Sequence, residues 1–149
     1  MIDIRPASPG DAETIMEFQR RMCMETEGEP LNFHTITPGV RAVFDDPAKG
    51  QYWLAEVDGQ IAGSLLLMPE WSDWRNGTVL WIHSVYVREQ FRRQGIFRAL
   101  YTHLKQMVQA DDSLQGLRLY VKTDNHAAMQ TYVAMGMDDQ HYQMYEWLK

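Results

Sequence analysis

Residues 78–101 read TVLWIHSVYVREQFRRQGIFRALY, and the change of pattern inside them decides the fold. Thr78 to Val87 is a run of β-branched and aromatic residues, the composition of a strand. It leads into four arginines, Arg88, Arg92, Arg93 and Arg98, with Glu89 the only acid among them, and into Gly95. Phe97, Leu100, Tyr101, Leu104 and Val108 then recur at helical spacing. A strand that feeds a helix through such a turn leaves backbone N–H groups pointing outward at the positive end of the helix dipole, a site for pyrophosphate. Glycine allows the backbone to approach a ligand closely, and arginine forms bidentate bonds to phosphate. On these residues alone an ordinary surface turn with solvated arginines is an equally good account, since one glycine is far weaker than a full GxGxxG. No Gly-Lys-Ser/Thr follows, which excludes a Walker-type loop.

Upstream, QYWLAEV (51–57), Asp58-Gly59 and QIAGSLLLM (60–68) form two apolar runs around a two-residue turn signal, a hairpin. A connection rich in tryptophan (Trp71, Trp74, Asn76-Gly77) separates it from the strand at Thr78. Ile2 to Arg5 is a short first strand. Ser8 as N-cap, Pro9 at the first helical position and Asp11 as a capping acid start a helix that carries Ala12, Ile15, Phe18 and Met22 on its apolar face. A second helix is expected to open at Thr37-Pro38, to bury Val40, Val43 and Phe44, and to stop before Pro47. Downstream, GLRLYV (116–121) is a strand, an Asn-capped helix runs from Asn125 to near Gly136, and QMYEWL (143–148) is expected to close the chain as a last strand. The expectation is an α/β (α+β) fold: a mixed sheet of six to seven strands with helices on both faces, in one domain over residues 1–149.

The bulk properties bound the function. The chain has 149 residues, 45% of them apolar, and a formal net charge of −6. That charge makes a general nucleic-acid binder a poor reading, since phosphate backbones need a basic surface. One basic knot in an acidic chain points to a local anionic ligand. No apolar stretch is long enough to span a bilayer, and the opening Met-Ile-Asp-Ile-Arg-Pro carries no signal segment, so a cytoplasmic protein without a membrane partner is expected. The single cysteine, Cys23, can form no internal disulfide and reads as a helix-face core residue. His34, His83, His103, His126 and His141 show no ligand spacing, so no metal is expected.

Two motifs together resemble the GNAT superfamily of acyl-CoA N-acyltransferases. Arg92-Arg93-Gln94-Gly95-Ile96-Phe97 is similar to its acyl-CoA signature [Gln/Arg]-x-x-Gly-x-[Gly/Ala], with Phe97 standing where Gly or Ala is usual, and it follows SVYV (84–87), which resembles the family's fourth strand. Asn125-His126-Ala127-Ala128-Met129-Gln130-Thr131-Tyr132-Val133-Ala134-Met135-Gly136 resembles the family's Asn-x-x-Ala-x-x-x-Tyr-x-x-x-Gly helix. Ala128 and Tyr132 share a helix face. Taken alone that segment is better explained as a capped amphipathic helix with Tyr132 as a core aromatic.

The resemblance implies transfer of an acetyl group from acetyl-CoA, as co-substrate, to a primary amine. Arg92, Arg93, Gln94, Gly95, Ile96, Phe97 and Arg98 would hold the diphosphate, with Asn125 and Tyr132 completing the cofactor site. The backbone of Val85 and Val87 would pair with pantetheine, and an N–H near Val85 would polarise the thioester carbonyl. Tyr132 takes the position of the general acid that protonates the leaving thiolate. An aliphatic amine arrives protonated at neutral pH, so a base is needed, and His83 is the candidate. A histidine within an apolar strand is as often a core residue, and strand parity here depends on whether a bulge intervenes. LWIHSVYV and the aromatic connection before it loosely resemble diamine and thialysine acetyltransferases, which implies a small cationic amine, polyamine or amino acid as acceptor. Glu25, Glu27 and Glu29 would attract such a cation, and Trp71 or Trp74 would stack on it, although a solvated acidic loop and a hairpin tip account for these residues as well. A protein N-terminus or lysine is the alternative acceptor, and a non-catalytic acyl-CoA sensor is the alternative function. Dimers are common in such folds, though no residue here shows one.

Overall fold

Alternation of side chains along four of the strands dictates where the helices pack. The computed structural model describes residues 1–149 and contains β1 (Ile2–Pro6), α1 (Ala12–Glu27), α2 (Phe33–Asp45), β2 (Gln51–Val57), β3 (Gln60–Ser72), β4 (Gly77–Val87), α3 (Ile96–Ala110), β5 (Leu114–Arg118) and α4 (His126–Ala134). The sheet runs in chain order, β1-β2-β3-β4-β5; the first four strands are antiparallel and β5 is parallel to β4. Tyr52 and Leu54 of β2 face α1 and α2, where they cluster with Ala12, Ile15, Met16 and Val40. The residue between them, Trp53, faces the other way and meets His103 of α3 at 5.2 Å between ring centroids. The helices thus cover both faces, as the apolar patterning requires. Phe18, Ile15, Leu54, Leu65, Leu100 and Leu104 are fully buried, each contributing about 1.5–3 kcal/mol of apolar transfer.

The contacts of the chain group into two compact units, Met1–Arg118 and Leu119–Lys149. In the first, β1 is fixed to its surroundings by Arg5, which donates to Asp11 at 2.9 and 3.1 Å and to Glu56 at 2.9 Å. The Ser8 backbone N–H donates to the Asp11 carboxylate at 2.8 Å, fixing the entry to α1 as the capping pattern predicts. Gly63 has no substitute on β3: an added Cβ would lie 2.7 Å from the Tyr86 carbonyl oxygen and 3.2 Å from the Ile96 side chain at the start of α3. In the second unit α4 is capped at both ends. Asn125 Oδ1 accepts from the Ala128 N–H at 3.2 Å, and Gly136 and Met137 donate to the Val133 and Tyr132 carbonyls, each at 3.0 Å.

Four expectations are corrected. The sheet has five strands, not six or seven, because QMYEWL forms none. Its apolar residues come as adjacent pairs, Met144-Tyr145 and Trp147-Leu148, which would load both faces of a strand, and all four are exposed. The strand read at 116–121 occupies Leu114–Arg118, since its pairing with β4 ends at Trp81↔Arg118. Helix α2 begins at Phe33, not at Thr37-Pro38, because Asn32 Oδ1 accepts the His34 N–H at 2.9 Å and caps an earlier start; Pro38 lies inside the helix at the cost of one ladder bond. The tryptophan-rich connection is a continuation of the β3–β4 hairpin, which stays in register to Ser72↔Gly77. Trp71 is in strand and Trp74 at the hairpin tip, 65% and 90% exposed, so neither covers the core.

Candidate active site

The site is built from the second half of β4, the turn after it and the start of α3. Opposite β3, Tyr86 pairs with Ser64 and His83 with Leu66, so Ser84 and Val85 together face the single residue Leu65. This is a β-bulge, and Ser84 adopts φ +53° within it. A non-glycine residue held there stores about 1–3 kcal/mol of backbone strain, as functional sites commonly do. The bulge changes the parity of the strand. His83 and Tyr86, three residues apart, would face opposite ways on a regular strand; here both lie on the face covered by α1 and α2, His83 opposite Leu66 of that cluster and Tyr86 against Phe18 with ring centroids 4.9 Å apart. The His83 ring is stacked on Trp81 at 6.1 Å, and burial pushes its pKa below the ordinary histidine value.

On the other side of β4 the ladder to β5 covers only Thr78 to Trp81. From Ile82 to Val87 no strand pairs with that edge. The Arg88 N–H donates to Ala62 of β3, so Val87, one residue earlier, directs its N–H and C=O to the β5 side, where the C=O accepts from Arg92 Nε at 2.9 Å and the N–H meets no strand. A backbone edge left open next to a basic turn is the arrangement that an amide-rich ligand can extend as an added strand.

The turn itself is compact: the Phe91 and Arg92 N–H groups donate to the Arg88 and Glu89 carbonyls, and Gln94 Nε2 donates to the Gln90 carbonyl at 2.8 Å. Gly95 is the N-cap of α3 at φ +80°, supplying no side-chain acceptor, and an added Cβ there would meet nothing within 4 Å. The first-turn amides of a helix, here from Ile96 to Arg98, have no acceptor within it. Ile96 is buried, whereas Phe97 is half-buried with its ring 6.3 Å from Tyr101, so its bulk is directed along the helix. Arg93 sits at φ +64° and is exposed, as is Arg98. Neither carries a carboxylate partner, and both are available to an anion. Arg92 differs: its Nη2 donates to Glu25 at 2.7 Å and its Nε to the Val87 carbonyl at 2.9 Å. These residues fit a diphosphate group followed by an amide-rich chain.

The structure thus brings His83, Val85, Val87, Arg92, Arg93, Gln94, Gly95, Ile96, Phe97 and Arg98 together in the first unit. Asn125 and Tyr132 belong to the second. There Asn125 caps α4, and the half-buried Tyr132 has its phenol pKa raised by burial, which keeps it protonated at neutral pH. Sequence reasoning missed Ser84 and Tyr86. The only signal for the bulge was a small polar residue inside an apolar strand. No group of three histidine, cysteine, aspartate or glutamate side chains could hold a metal, and no helix is long and apolar enough to cross a membrane.

Solved structures share this fold. A possible acetyltransferase from Clostridium difficile 630 superposes with a TM-score of 0.92 at 40% identity, over 100% of this chain and 98% of that one. A ribosomal-protein-alanine N-acetyltransferase from Brucella melitensis biovar Abortus 2308 shares the fold at 16% identity, with a TM-score of 0.79 and full coverage of both chains. An aminoglycoside acetyltransferase from an uncultured soil metagenomic sample, in complex with sisomicin, does so at 14% identity and a TM-score of 0.78, over 99% of this chain and 97% of that one. No curated protein matches the chain. The sequence profile of the Acetyltransferase (GNAT) family matches residues 13–137, the span that holds the bulged strand, the basic turn and the capped tyrosine helix, and the chain belongs to that family of acetyl-CoA-dependent acyltransferases.

Proposed function

We propose that the protein transfers the acetyl group of acetyl-CoA to a primary amine by direct attack, with His83 as base, directly or through a water, and Tyr132 as general acid. The observation that carries this reading is the bulge at Ser84-Val85, which turns His83 onto the α1–α2 face while leaving the opposite edge of β4 open for the cofactor chain. The thioester supplies an activated acetyl group. Arg93, Arg98 and the amides at the start of α3 hold its diphosphate, and Val85 and Val87 offer backbone groups to the pantetheine amides. A protonated amine must lose a proton before it can attack. His83, kept neutral by burial to a lower pH than usual, accepts that proton. The departing sulfur gains its proton from the Tyr132 hydroxyl, which burial holds in the protonated form.

The acceptor is a small cationic amine, polyamine or amino acid. Supporting this is the acidic segment at and after the end of α1, Glu27 and Glu29, with Glu25 beside them paired to Arg92; a ribosomal-protein-alanine N-acetyltransferase and an aminoglycoside acetyltransferase share the fold, so the fold alone does not select the acceptor. Thiol release from acetyl-CoA, measured across polyamines, lysine analogues, aminoglycosides and peptides, tests the reading. Turnover with a small amine is expected, and Gly95→Val is expected to abolish it through loss of cofactor binding. Binding of acetyl-CoA with no thiol release on any acceptor would favour a sensor.

A further inference from the structure

We infer that Arg92 is a positioning residue, a clamp that fixes the end of α1 to the cofactor turn through Glu25, and does not itself hold phosphate. The inference rests on acetyl-CoA binding at this turn. Arg92 touches three separate elements. Its Nη2 donates to Glu25 Oε2 in the last turn of α1 at 2.7 Å, its Nε donates to the Val87 carbonyl at the end of β4 at 2.9 Å, and its guanidinium carbon lies 5.6 Å from the centre of the Tyr86 ring. The planar guanidinium fork suits this geometry, because it bonds in two directions while stacking on an aromatic face. Arg88 repeats the device beside it, its guanidinium carbon 5.2 Å from the centre of the Phe18 ring of α1. Helix α1 is therefore tied to the start of the turn at two points, at mid-helix through Phe18 and in its last turn through Glu25.

This division of labour leaves the other cations to the ligand. Two of the three guanidinium nitrogens of Arg92 are committed to a carboxylate and a backbone carbonyl, and the Glu25 carboxylate offsets its charge, whereas Arg93 and Arg98 carry no carboxylate partner. The pair is partly exposed, 40% for Arg92 and 46% for Glu25, so its contribution to global stability is small. What it sets is geometry: the same helix covers the strand face that carries His83 and Tyr86, and the same arginine anchors the strand end that enters the phosphate turn.

The two roles predict opposite signs for one substitution. If Arg92 were a phosphate ligand restrained by Glu25, Glu25→Gln would release it and tighten acetyl-CoA binding; general electrostatics would favour the anion too, since a negative charge is removed. The clamp predicts the reverse. In calorimetric titrations of the full chain with acetyl-CoA, Glu25→Gln is expected to weaken binding about 2–5-fold, and Arg92→Gln by at least as much. The double variant should be no weaker than the worse single one, because both break the same link. The salt dependence of binding should stay that of the parent in Arg92→Gln, while Arg93→Gln flattens it. Tighter or unchanged binding in Glu25→Gln, additive losses in the double variant, or a flattened salt dependence in Arg92→Gln would each overturn the clamp alone. A parent protein that does not bind acetyl-CoA would refute the functional reading and the clamp with it.

Discussion

Replacing Asp11 with asparagine removes the carboxylate that joins the first strand to the first helix. That carboxylate accepts two bonds from Arg5, at 2.9 and 3.1 Å, and one from the Ser8 N–H at 2.8 Å, and its side chain is only 12% exposed. The Arg5 guanidinium, seconded by the Ser8 amide, holds the carboxyl down to about 2, against an ordinary 3.8. Arg5 is itself raised well above its usual range, by Asp11 first and then Glu56; because it serves two carboxylates, the limit on the Asp11 interaction is read from the carboxylate. That difference corresponds to at most about 2.4 kcal/mol. Arg5 is 37% exposed, and solvent screening brings the expected loss in Asp11→Asn at neutral pH to about 1 kcal/mol. A carboxyl whose folded value is depressed contributes fully above its unfolded value and loses that contribution as pH falls through the folded one. Urea unfolding of the parent and Asp11→Asn should therefore show a gap of about 1 kcal/mol at pH 7 that closes progressively as pH falls through 3.8 and vanishes only below about 2. A gap that persists unchanged into acid would refute the electrostatic account and assign the loss to packing around the helix entry.

Three further outcomes are expected. In Tyr132→Phe, kcat should fall by about 10²–10⁴ while acetyl-CoA affinity stays within a few-fold; full turnover, with only thermal stability reduced, would make the tyrosine structural. For His83, kcat/KM should decline on the acidic side with a midpoint below 6.5, since burial lowers its pKa and only the neutral ring accepts a proton, and His83→Gln should abolish that limb; superimposable pH profiles would return His83 to the core. Arg93→Gly should raise thermal stability, by about 1 kcal/mol, by relieving a left-handed backbone at φ +64°, and at the same time weaken acetyl-CoA binding by removing a free cation. A fall in both would show that the arginine side chain supports the turn.

The elements around the site were legible because local patterns set them. The β-branched and aromatic run of β4, the arginines ahead of Gly95 and the Asn125 cap each depend on neighbours within a few residues. What escaped depends on contacts across the fold. A β-bulge is an open possibility in the sequence, but its position is a matter of register against Leu65, which HSVYV alone does not encode. The carboxylate partner of Arg92 is 67 residues away, so its bond to Glu25 has no local signal in the motif. Pro38 imitated a helix start because proline is as well suited to the first turn as it is poorly suited to the interior, and Asn32 supplied the stronger cap. QMYEWL has strand composition, but composition records what fits a pleated, half-buried surface, and no strand of the sheet provides one for it.

The stretch of β4 beyond its ladder to β5 ties the persistence of the folded protein to its metabolic surroundings. Amides along Ile82 to Val87 that no neighbouring strand protects exchange with solvent hydrogen through local opening, and a ligand that lies along that edge slows the exchange. A ligand that binds only the native state also stabilises it by mass action, about 2.7 kcal/mol at a hundred times its Kd. Cells rich in acetyl-CoA would therefore hold a protein that resists heat and proteolysis, and cells depleted of it one that is degraded sooner. Abundance would then track cofactor supply with no dedicated sensor.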